Sequence, residues 1–145
     1  MNIQVREAVV SDYLAIAEIS RNELGYDCSD ELVEEKLKNV LESNREKIFV
    51  AVSSNQVIGY IHGENYDVLY FQHMKNVMGI AVLKEYQNKG VGTSLLNAVE
   101  DWAVSANAYA IRINSGASRK ESHEFYRSKG YGLEKEQIKF MKICK

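Results

Sequence analysis

Proline is missing from the whole chain of 145 residues. Turns must therefore be made by Gly, Asn, Ser and Asp, which mark the element boundaries. Cysteine is scarce, with only Cys28 and Cys144 far apart. The start, MNIQVREAVVSDY, lacks the charged-then-apolar layout of a secretion signal, so the two read as free thiols of a cytoplasmic protein. Three well-separated histidines leave no metal-ligand spacing, and no metal is expected. No apolar run approaches the ~18–20 residues of a membrane span, which argues against a membrane partner. Charge of neither sign dominates: 18 Lys and Arg face 20 Asp and Glu, for a net charge of -2. Nucleic acid is thereby disfavoured, because phosphate neutralisation needs a concentrated basic face. A local anion site made from backbone N–H groups stays open. Repeats and low-complexity linkers are absent too. What is there, 46% hydrophobic and 26% charged residues over this length, suits one domain spanning 1–145.

Residues 2–7 alternate apolar and polar, predicting a strand with Ile3 and Val5 inward. Ser11 or Asp12 can cap a helix carrying Leu14, Ile16, Ala17, Ile19 and Leu24, ended by Gly25. Ser29 opens a second helix with Leu32, Val33, Leu37, Val40 and Leu41 near i, i+4 spacing. Residues 47–53 and 57–66 read as strands joined by a Ser/Asn turn. The stretch 67–75 fits either a loop or one helical turn. The nearly continuous apolar run 76–83 suits a strand covered on both faces. A strong helix follows at 91–106, lined by Val91, Leu95, Leu96, Val99, Trp102, Ala103 and Ala106. Residues 108–114 return as a strand. Ser118 and Glu121 form a capping-box pattern for a helix over 119–129, and the tail 131–143 carries one or two further strands. The fold class expected is α/β (α+β), a sandwich of mixed strand direction.

The informative unit is strand 76–83, then Gln87–Asn88–Lys89–Gly90–Val91–Gly92, then the helix. The first N–H groups of a helix lack internal partners and sit at the positive end of its dipole, so they favour an anion. Gly90 and Gly92 remove Cβ atoms that would keep a phosphate from the backbone. A P-loop requires lysine after the second glycine, where Thr93–Ser94 stand, and the dinucleotide fingerprint requires glycine where Leu95 stands. What remains is Q-x-x-G-x-G after an apolar strand.

With strand 108–114 some twenty residues on, and then SRKESHEFYRSKGY, the chain resembles the GCN5-related N-acetyltransferases (GNAT), whose pyrophosphate loop is [QR]-x-x-G-x-[GA]. The resemblance implies a mostly antiparallel central sheet flanked by helices, with a splayed strand pair that admits acetyl-CoA. It makes Ile80, Ala81 and Val82 the strand whose backbone pairs with the pantetheine amides, in effect by strand addition. Gln87, Asn88, Lys89, Gly90, Val91, Gly92 and Thr93 become the pyrophosphate cradle, and Asn114 marks the far side of the splay. Tyr126 becomes the tyrosine beside the thioester sulfur. The family often has Asn seven residues before that tyrosine, where Arg119 stands here.

The activity implied is acetyl transfer from acetyl-CoA to a primary amine of a small molecule by direct attack on the thioester. A strand N–H near Val82 would steady the carbonyl, and Tyr126 would protonate the departing thiolate. An ammonium acceptor must first lose a proton. The family often keeps a carboxylate near the start of the central strand, where this chain has Asn76, so His73, Glu64 and Glu23 are the candidate bases. Tyr26, Tyr66, Tyr70 and Phe71 are candidates to line the acceptor pocket. The acidic residues Glu18, Glu23, Asp27, Asp30, Glu31, Glu34 and Glu35 read first as a solvated helix face and second as a rim for a cationic amine. A peptide or protein amine acceptor, or a non-catalytic acyl-CoA-binding module, is the alternative, and a homodimer is left open.

Overall fold

The computed structural model describes residues 1–132 and 135–145. They fall into two compact units, Met1–Ile113 and Asn114–Lys145.

The first unit is built on five strands: β1 (Gln4–Glu7), β2 (Glu46–Ser53), β3 (Gln56–Tyr66), β4 (Met74–Val82) and β5 (Ala110–Ile113). They lie in the order β1-β2-β3-β4-β5, antiparallel through β4 and parallel between β4 and β5. The β2–β3 turn is Ser54–Asn55, both at positive φ, the tight hairpin that Ser/Asn chemistry predicts. Alternation along β3 divides the core between the two sheet faces. Ile48, Val50, Tyr60 and Ala81 pack with Ile16, Ile19, Leu37 and Val40 of helices α1 (Tyr13–Glu23) and α2 (Asp30–Glu42). The opposite face meets helix α3 (Val91–Ser105), whose buried stripe is Val91, Leu95, Leu96, Val99 and Ala103. Close approach is possible there because Gly59 and Gly63 lack side chains. A Cβ on Gly63 would stand 3.1 Å from the Trp102 ring, and one on Gly59 would stand 3.4 Å from Leu95.

Several boundaries differ from the sequence pattern. Asp12 stands at the N-cap of α1, but its side chain makes no cap hydrogen bond there, because a short 3-10 turn at Val10–Asp12 precedes the helix. The buried Asp12 carboxylate turns back to accept the Val9 N–H (2.8 Å) and both Arg6 Nη groups (2.8 and 3.0 Å). Ser29 does cap α2, its Oγ accepting from the Leu32 N–H. Leu14, Leu32 and Leu41 are exposed, so the apolar stripes of α1 and α2 are narrower than their spacing implies. The stretch 67–73 is a loop, and Met74–Lys75 join β4.

In the second unit, helix α4 (Lys120–Ser128) begins after Arg119, which takes the N-cap position expected of Ser118 and makes no side-chain cap hydrogen bond. The expected tail strands are not formed in the described residues 135–145, and Leu133–Glu134 lie outside the described residues. Ile138, Phe140, Met141 and Ile143 are each at least 76% exposed. With no apolar face covered, nothing offsets the entropy of ordering the backbone.

Candidate active site

β4 changes character along its length. Its first part, Met74–Val77, is paired on both sides, by β3 and by β5. At Met78 the β3 register slips: Gly63 pairs with Val77 and His62 with Gly79, leaving Met78 as the extra residue of a bulge. The β5 ladder also stops here, at Val77–Ile113, so residues 78–82 keep β3 on one side and, among the described residues, have an open edge with no strand paired on the other. The Leu83 N–H donates to the Ile58 carbonyl, which sets the phase of the ladder beyond the bulge. By two-residue alternation Ala81 turns its N–H and C=O to β3, while Ile80 and Val82 turn theirs to the open edge. Of the three strand residues singled out in the sequence, the edge therefore offers Ile80 and Val82, and Ala81 is spent inside the sheet.

The open edge runs directly into the glycine turn. A 3-10 turn, Lys84–Tyr86, leads to Gln87; Asn88 and Gly90 then both take left-handed backbone, at φ 61 and 86. Such alternation curls successive N–H groups into an anion-binding concavity. Gly90 is the N-cap of α3, and a Cβ built on it meets nothing within 4 Å. The first intrahelical backbone bond is Ser94 N–H to Gly90 C=O, so the N–H groups of Val91, Gly92 and Thr93 precede the ladder, as at any helix start. A strand edge and a helix mouth joined by a curled turn fit an extended amide-bearing arm ending in a diphosphate, the shape of coenzyme A. Lys84 and Lys89 are exposed beside the turn, and Lys89 Nζ lies 5.8 Å from the Tyr86 ring centroid.

The three candidate bases lie in three different places. Strand rise of ~3.3 Å per residue puts His73, just before β4, about 16 Å from the bulge. Its Nδ1 is bonded to Asp67 at 2.7 Å, beside the Arg45–Asp67 ion pair. Glu23, at the end of α1, lies by the glycine turn, accepting from the Lys84 N–H at 3.1 Å. Glu64 sits opposite Asn76, two residues before the bulge. Asn76 is 8% exposed and fixed from both ends. Its Oδ1 accepts from Arg112 Nη1 at 2.9 Å, and its Nδ2 donates to Glu64 Oε1 at 3.2 Å and lies 3.6 Å from Met78 Sδ. Arg112 is in turn stacked 4.1 Å above the Tyr66 ring. The neighbouring strand thus brings a carboxylate, Glu64, against position 76. Asn76 and Arg112 carry no motif, and only the strand register reveals them.

His62 bonds Glu46 at 2.9 Å within the sheet. Several of the acidic helix residues are already engaged: Asp30 by Arg21, Glu34 by Lys38, and Glu23 by the turn. Tyr26, Tyr70 and Phe71 are exposed.

Within the second unit, Asn114 is exposed and Tyr126 lies on α4, its ring packed against Phe125 (5.5 Å) and Tyr131 (6.3 Å). Burial pushes its phenol up, against a smaller opposing pull from the Arg119 guanidinium.

A profile of the acetyltransferase (GNAT) family matches residues 13–131. The chain belongs to the acetyltransferase (GNAT) family. Its fold is shared by solved structures of low identity. One is a transcriptional regulator from Bacillus halodurans (15% identity, TM-score 0.89, 97% of this chain and 99% of that one). Another is the aminoglycoside acetyltransferase AAC(6')-Iy bound to a bisubstrate analogue, CoA-S-monomethyl-acetylneamine (16%, 0.88, 99% and 100%). A third is an aminoglycoside 6'-N-acetyltransferase from Acinetobacter haemolyticus (19%, 0.84, 100% of both). No curated protein matches the chain.

Proposed function

We propose that this GNAT acetyltransferase, acting as one domain over 1–145 in the cytoplasm, moves the acetyl group of acetyl-CoA to a primary amine on a small cationic molecule. The observation that carries the reading is the continuity along β4: bulge, open edge, curled turn and helix mouth follow one another without interruption. Ile80, through its N–H and C=O, and Val82, through its N–H, would take the pantetheine amides by strand addition, the Val82 carbonyl being held by Gln87. Residues Gln87, Asn88, Lys89, Gly90, Val91, Gly92 and Thr93 would take the diphosphate, and Asn114 would stand where the strands part. The thioester supplies an activated acyl group whose carbonyl oxygen gains negative charge during attack, and a backbone N–H of β4 at the bulge, the end nearer Glu64, is the donor we assign to it. The small-molecule reading draws support from aminoglycoside acetyltransferases sharing the fold at 16–19% identity.

For the base we choose Glu64 over His73 and Glu23. It is the candidate beside the bulge, and Asn76 orients it through one oxygen. Among the described residues nothing donates to the other oxygen, Oε2. Glu64 would take the proton that an ammonium must lose before its nitrogen can attack. Tyr126 follows the family's late-helix tyrosine; its burial keeps the phenol protonated, as a donor to a departing thiolate must be.

The test is release of free CoA thiol from acetyl-CoA over a panel of aminoglycosides, polyamines, amino acids and N-terminal peptides, with Glu64→Gln run beside the unaltered protein. Turnover is expected with a small polycationic amine, and the variant should lose about 10²-fold in kcat at neutral pH. That deficit should close as pH rises towards the acceptor's own pKa near ~10, where the amine is already neutral. Turnover of peptides alone would overturn the small-molecule reading. A deficit constant with pH would remove Glu64 as the base.

A further inference from the structure

Glu23 is the last residue of α1, yet both of its carboxylate oxygens are directed at the glycine turn some sixty residues on in sequence. Oε2 accepts from the Lys84 N–H at 3.1 Å, and Oε1 accepts from Gln87 Nε2 at 3.5 Å. The same Gln87 Nε2 donates to the Val82 carbonyl at 2.9 Å, on the open edge of β4. Gln87 is the first residue of the cradle, and its side chain is thus held between the strand end and α1.

A carboxylate beside an anion site is electrostatically unfavourable in itself, since it repels the phosphates it lies near. Its presence there requires a compensating role, and the hydrogen bonds supply one. The turn has two residues in left-handed backbone, a conformation that Asn88 tolerates and does not prefer. Fixing Lys84 and Gln87 before the ligand arrives lowers the ordering cost that binding would otherwise carry. On the acetyl-CoA reading above, we infer that Glu23 is a positioning residue for the cofactor turn and takes no part in the chemistry. It holds Lys84 and Gln87 so that the cradle is formed in advance.

The test compares Glu23→Ala with Glu23→Gln. Both remove the negative charge, so electrostatic relief is common to them, while only glutamine retains an oxygen able to accept from the Lys84 N–H. Coenzyme A binding by calorimetry should be at least about fivefold weaker in Glu23→Ala than in Glu23→Gln. The rise in KM for acetyl-CoA should match it, with kcat at saturation the same in both. A readout independent of coenzyme A is amide exchange at Lys84, expected to be faster in Glu23→Ala and restored in Glu23→Gln. Equal affinities and equal exchange in the two variants would overturn the inference, as would a fall in kcat without a change in KM. If the unaltered protein fails to bind coenzyme A, the acetyl-CoA reading falls whatever the exchange at Lys84 shows, so the two failures are distinct.

Discussion

Adding one methyl group at Gly90 separates the cost to the fold from the cost to the site. Gly90 is at φ 86, a region L-residues enter at a cost of roughly 1–2 kcal/mol. Because a Cβ there meets no heavy atom within 4 Å, no steric term adds to that figure. For a chain of this size ~1–2 kcal/mol corresponds to a loss of about 3–6 °C in Tm, well within what a stable domain tolerates. Gly25, which follows the end of α1, provides a matched control. Its φ is 76 and its Cβ also meets nothing within 4 Å, but it lies outside the turn. Gly25→Ala and Gly90→Ala should therefore lower Tm by nearly the same amount, measured by calorimetry or circular dichroism. Coenzyme A titrated into the two should part them, with affinity at least about tenfold weaker for Gly90→Ala, or ~1.4 kcal/mol, and unchanged for Gly25→Ala. Equal affinity in both variants would refute the claim that a diphosphate approaches the Gly90 backbone. Unequal Tm losses would refute the purely conformational account of the cost.

Two further outcomes follow from the structure. Burial pushes the Asp12 carboxyl up, but Arg6 and the Val9 N–H together outweigh it and hold it below the usual carboxylate range. The folded state thus binds fewer protons than the unfolded one between the two pKa values. The stability from this group is present above the unfolded value near ~3.9 and is lost as pH falls through the depressed folded one. A Tm-against-pH series should show Asp12→Asn less stable than the unaltered protein at pH 7 by about 2 kcal/mol, with the gap closing in acid; a gap independent of pH would contradict the ion-pair account. Tyr126→Phe should lower kcat at least about tenfold while leaving coenzyme A affinity within twofold, read by thiol release and calorimetry; an unchanged rate would remove the phenol from the reaction.

What the sequence made legible was short-range. Ser29 three residues before the Leu32 N–H, the Ser54–Asn55 turn, and an apolar strand running through two glycines into an amphipathic helix are all local patterns. Local patterns also misled where a partner had to be assumed. Ser118 and Glu121 have capping-box spacing, but the helix begins beyond Arg119. Residues 138–143 are as apolar as a strand, yet Ile138, Phe140, Met141 and Ile143 stay in solvent. The pattern specifies a face and leaves open whether anything covers it.

The features on which the proposed chemistry rests were hidden for a related reason: they exist only between strands. Nothing around Met78 marks it as a bulge, because a bulge is a mismatch of register against β3. Asn76 looked like the loss of a carboxylate when read along one strand. Read across the ladder, it is the residue that fixes one: directly opposite stands Glu64, bonded to the Asn76 amide, whose other end is held by Arg112. A carboxylate at position 76 would face Glu64 as a like charge directly across the pair, which is destabilising. Glutamate at 64 and asparagine at 76 are therefore one arrangement and not two independent choices. On the proposed reading the base stands on the adjacent strand, and the Asn76 amide orients it.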